Sequence, residues 1–87
     1  MFNGTSQDSK RAVLQELQDQ ALRLHTNIEV IEQQQAALSN QRSMMAEGVY
    51  LQRTAIAEQD IARKRAILTK WNMMLSVNGM PTIGQGG

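Results

Sequence analysis

The chain has 87 residues, nine Lys or Arg against eight Asp or Glu, one His and no Cys, for a net charge of +1. That length allows one small domain at most, and the missing Cys exclude disulfides and thiolate metal sites and fit a reducing compartment. A charge this close to neutral predicts no polyanionic partner, and with Phe2, Tyr50 and Trp71 as the only aromatics a self-sufficient core is marginal.

Residues 1–5 read as a polar arm with a turn at Asn3-Gly4. Asn3-Gly4-Thr5 matches a glycosylation sequon, read as chance because no secretion signal accompanies it. Thr5 or Ser6 is suited to cap a helix, and Asp8 falls in the first turn, where the helix dipole favours a negative charge.

From Ser6 to Asn78 there is no Pro and a single Gly, Gly48, so a helical region over residues 6–78 is expected. Its first part carries a heptad seam over residues 14–45. Leu14, Leu17, Ala21, Leu24, Ile28, Ile31, Gln35, Leu38, Arg42 and Met45 alternate steps of three and four. Gln35 and Arg42 interrupt the seam, and polar seam residues weaken packing while fixing register. Its second part carries a seam over 50–75, through Tyr50, Thr54, Ala57, Ile61, Lys64, Leu68, Trp71 and Leu75. The two are out of phase by one residue, and the shift falls within residues 43–50.

Two arrangements accommodate the shift, both all-α. The leading one is a single long, kinked helix with coiled-coil-like packing against partner chains, about 110 Å long at 1.5 Å per residue. The alternative is an αα-hairpin with its turn near 39–48, Ser39-Asn40 being the best turn candidate by composition. The charges are uneven: residues 1–47 carry six acids and four bases, net −2, and residues 48–87 carry two acids and five bases, net +3. Opposite signs favour an antiparallel or staggered contact.

The stop is clear. Gly79 suits the left-handed position after a helix, and Pro81 cannot continue one. Residues 79–87 are expected to form an extended, flexible Gly-rich tail.

Little points to chemistry. His25 has no second His or Cys to share a metal, and reads as an ordinary flank residue. Glu29 with Glu32, and Glu58 with Asp60, are close in sequence, but a rod offers no cleft to separate their pKa values. Asp19–Arg23 and Asp60–Lys64 have salt-bridge spacing instead. Arg63-Lys64-Arg65 with Lys70 is the one basic cluster, and its members splay around a helix by about 100° each. The pairs Met44-Met45 and Met73-Met74 read as core filler, or more sharply as an adaptable partner surface. The segment 67–77 is apolar around much of its circumference and is expected to be covered, with Trp71 as the strongest anchor.

No catalytic, cofactor-binding or metal residues are therefore assigned, and an enzyme is not expected. The candidate interface is Leu14, Leu17, Leu24, Ile28, Ile31, Leu38, Met45, Tyr50, Ile61, Leu68, Trp71 and Leu75. The expected function is a helical structural or assembly subunit whose partners are copies of itself or larger structural proteins, best matched by a small component of a phage-like virus particle. A soluble adaptor or chaperone holding a partner helix is the alternative, favoured if the chain is a hairpin. A nucleic-acid-associated protein using residues 63–70 is the third reading. No small-molecule substrate, membrane span or secretion signal is expected, which places the chain in the cytoplasm or within a viral particle.

Overall fold

The computed structural model describes residues 2–84. It contains two helices, α1 (Phe2–Asn40) and α2 (Glu47–Val77), joined through a short 3-10 turn at Arg42–Met44. The chain is all-α, and of the two expected arrangements it adopts the αα-hairpin. A single helix over 6–78 is not what forms. A lone rod would leave both seams in water, whereas folding back lets each cover the other. The hairpin measures 66 × 22 × 15 Å. Its radius of gyration, 18.1 Å, exceeds the about 12 Å of a compact chain of this length.

The arm expected at residues 1–5 is helical from Phe2. One Gly costs a helix about 1 kcal/mol, and no Pro stands there to stop it. Because α1 already begins at Phe2, Thr5 and Ser6 lie inside the helix and neither caps it, and Asp8 lies beyond the first turn.

The reversal occupies residues 41–46, just beyond Ser39-Asn40, which remain in α1. The Gln41 amide donates to the Leu38 carbonyl at 3.0 Å, and the Met44 amide to Gln41 at 2.9 Å. Met45 (φ −133°, ψ 159°) and Ala46 (φ −61°, ψ 138°) are then extended, which breaks the helical path. No residue here has positive φ, so the turn requires neither Gly nor Asn. The one-residue phase shift at 43–50 coincides with this reversal. Two helices joined by a turn rotate independently, so their seams need share no phase.

Both seams face inward. Ala21 and Ile28 from α1, with Ile61, Leu68 and Leu75 from α2, form the buried core. Leu17, Leu24, Ile31 and Trp71 pack against it. Toward the turn the seam thins, and Gln35, Leu38, Met45, Tyr50, Thr54 and Ala57 are only half-buried. The fully buried side chains thus lie away from the turn, where a third layer is present.

That layer is the tail. Helix α2 ends in a Schellman motif: the Gly79 amide donates to the Ser76 carbonyl at 3.0 Å and the Met80 amide to Leu75 at 2.8 Å. Gly79 takes φ 74°, as its position required. Residues 80–84 then fold back over the hairpin instead of hanging free. Met80 and Ile83 pack on the core, and burying such side chains contributes up to about 1.5–3 kcal/mol each. The expectation of a flexible tail fails for these residues because Asn72, described next, binds their backbone. Residues 85–87 lie outside the described part.

Candidate interaction surface

Asn72 is the one buried polar residue among those described, at 2% exposed. It sits one position after Trp71, on the flank of the α2 seam. Its amide meets the backbone of Ile83 twice: Nδ2 donates to the Ile83 carbonyl at 2.8 Å, and the Ile83 amide donates to Oδ1 at 2.9 Å. A side-chain amide presents one donor and one acceptor side by side, as a strand edge does. Gln18 of α1 adds a bond from Nε2 to the Pro81 carbonyl at 3.2 Å. The tail therefore bridges both helices.

His25 belongs to the same place. Its Nδ1 lies 3.2 Å from Glu29 Oε1, and its ring backs onto Gly84. A Cβ added at Gly84 would collide with the His25 ring, and φ there is 72°. Only Gly fits. His25 is thus half-buried under the tail, a role its sequence position did not reveal.

Some of the charged residues are engaged within the hairpin. Lys64 lies in the seam and reaches out to Asn27 Oδ1 at 2.6 Å and Asp60 Oδ2 at 3.0 Å. Arg65 pairs with Glu32 across the helices on the opposite flank. The expected Asp60–Lys64 pair forms, while Asp19–Arg23 is not among the ion pairs of the described residues. Glu29 and Glu32 serve different partners, so they do not act as a carboxylate pair. Of the basic cluster, Lys64 and Arg65 are taken up and Arg63 and Lys70 face solvent.

Arg42, read as a break in the first seam, holds the turn. Its Nη2 donates to Glu47 Oε1 at 2.5 Å and its Nε to Oε2 at 3.4 Å. The guanidinium also lies 4.6 Å from the centre of the Tyr50 ring. The hydrogen bond from Arg42 holds the Glu47 carboxyl below its ordinary pKa, and the same bond pushes Arg42 upward.

All twelve candidate interface residues are half-buried or buried in the intramolecular seam. Leu75 belongs to the hairpin's own core, and Trp71, half-buried, packs against it. The exposed apolar side chains are others. Met44, Met73 and Met74 point to solvent, which removes the core-filler reading for three of the four paired methionines. Only Met45 joins the seam. Segment 67–77 is half covered: Leu68, Asn72 and Leu75 are buried, and Ile67, Met73, Met74 and Val77 are exposed.

The surface depressions are open and shallow. One lies between the helices beneath the tail, lined by His25, Glu32, Arg65, Asn72 and Gly84. Another runs along α2 past Arg53, Ile56, Asp60 and Arg63. Among the described residues, no three of His, Asp and Glu stand together as a metal-ligand set, and no helix is long and apolar enough to cross a membrane. No protein-family model matches the chain, and no curated protein or solved structure matches it.

Proposed function

We propose that this chain is a non-enzymatic helical assembly subunit, a two-helix unit that packs further helices against the outside of α2. One observation carries the reading. Among the described residues five hydrophobic side chains are buried, while eleven large ones are exposed, seven of them on α2. Scattered apolar residues are ordinary on a surface, but a concentration on one helix marks a contact face. A two-helix core this thin also lies near the lower limit of what folds alone, so added helices would stabilise it.

The hairpin favours a second reading, an adaptor that takes up one partner helix along α2. The two separate on self-association. An assembly subunit forms dimers or larger species as its concentration rises, and an adaptor reaches a fixed small size and binds a partner. Sedimentation velocity across a concentration series decides. A chain that stays monomeric to about 1 mM, where association is worth about 4 kcal/mol, is not a self-assembling subunit. Nucleic-acid contact has less support, because Lys64 and Arg65 already have partners in the hairpin.

A further inference from the structure

The outside of α2 carries a second heptad. Val49, Arg53, Ile56, Asp60, Arg63, Ile67, Lys70 and Met74 alternate steps of four and three without interruption. Each precedes an intramolecular seam residue by one position. The stripe therefore lies about 100° around the helix from the seam, at 3.6 residues per turn. Asn72 and Arg65 follow their seam neighbours by one position, so the tail and the Arg65–Glu32 pair occupy the other flank. The stripe's apolar members are exposed: Val49 is 41%, Ile56 60%, Ile67 38% and Met74 50% accessible.

The stripe is its own complement when reversed. In an antiparallel pair of heptad seams, the a positions of one helix face the d positions of the other. A two-fold axis between Ile61 and Ala62 obeys that rule and sets Ile56 against Ile67, Val49 against Met74, and Asp60 against Arg63. Every facing occurs twice, as an isologous interface demands. The central layer then holds two opposite-charge pairs flanked by apolar layers. Arg53 faces Lys70, and both have stems long enough to turn their charges to water. A parallel pairing would instead place Asp60 against Asp60 and Arg63 against Arg63.

We infer that the occupant of this face is a second copy of the chain, docked antiparallel through α2 about that axis. The inference rests on the assembly reading above and gives its partner and geometry. The test uses two single variants, Asp60→Arg and Arg63→Asp, in sedimentation velocity. The wild-type chain dimerises. Each variant alone puts like charges at both central positions and dimerises at least tenfold more weakly. An equimolar mixture restores association, because one variant then presents two positive central side chains to the two negative ones of the other.

Asp60 also bonds Lys64 within the hairpin, so helicity is followed by circular dichroism. Ile56→Gln, at a side chain 60% exposed, supplies an independent weakening. If the wild-type chain associates and the variants do so equally well, the antiparallel α2 face is wrong and the assembly reading survives. If association is lost in each variant and the mixture fails to restore it, the two-fold register is wrong. A wild-type chain that never associates overturns both.

Discussion

Three residues carry consequences larger than their size. Asn72 spends both halves of its amide on Ile83, so Asn72→Ala leaves the tail without its anchor. A net loss of about 1–3 kcal/mol is expected, with faster exchange of the Ile83 amide. Unchanged exchange would show that apolar packing alone seats the tail. Gly84→Ala should unseat it by another route, through its positive φ and the His25 ring. Thr54 is the opposite case. Its hydroxyl is buried in the seam with no partner, so Thr54→Val is expected to raise stability by about 1 kcal/mol. A lower urea midpoint would mean that the hydroxyl is bonded after all. None of these roles is legible in the sequence. The heptad spacing places Thr54 in its seam, but whether a hydroxyl finds a partner depends on the facing helix. Asn72 is inconspicuous within an apolar segment, and its partner lies eleven residues away beyond a helix stop.

At the scale of elements, the seams are legible and the turn is half legible. Alternating threes and fours identify buried faces because a helix returns to the same side every 3.6 residues. That is why seam residues from Leu14 to Leu38 and from Tyr50 to Leu75 lie inward. The turn at 41–46 offers no Gly, Pro or positive φ, so composition could not mark it, and the phase shift is its one trace. Its side-chain clamp has a pH signature. Arg42 holds the Glu47 carboxyl below its ordinary 4.5, so the folded turn binds that proton less readily than the unfolded chain. The clamp's contribution is complete above about pH 4.5 and is lost as pH falls through the lowered value. Tyr50 is the only tyrosine, so its ring resonances report the Arg42 contact directly. They should move over that acidic range in the wild-type chain and not in Glu47→Gln.

At the scale of the whole molecule, scattering separates the arrangements. The hairpin predicts a longest dimension near 66 Å for the monomer, against about 110 Å for a continuous helix. The inferred two-fold axis falls at the middle of α2 (Glu47–Val77). Because α1 has 39 residues against 31 in α2, that axis lies nearer the turn than the far end, and two hairpins joined there overlap mainly through their turn halves. Dimerisation should therefore thicken the particle and lengthen it from 66 Å to about 90 Å, at 1.5 Å per residue from the axis, whereas a dimer approaching twice the monomer's length would be an end-to-end contact. The preference for a rod over a hairpin fails for a physical reason. Helix propensity acts residue by residue, and it says nothing about the gain when one seam covers another.

The tail layer also bears on the order in which the chain folds. The reversal closes only a few residues, yet the fully buried side chains and the tail clasp lie at the far end, where Gln18 and Pro81 are 63 positions apart. Closing a loop ten times longer costs about 2 kcal/mol more in chain entropy. The segment that can form first is therefore the one with the least to hold it. The segment that holds the molecule must wait until the helices have zipped past it. Early encounters at the turn should dissolve many times before one persists, and the clasp of Asn72 on Ile83 should be among the last native contacts to form.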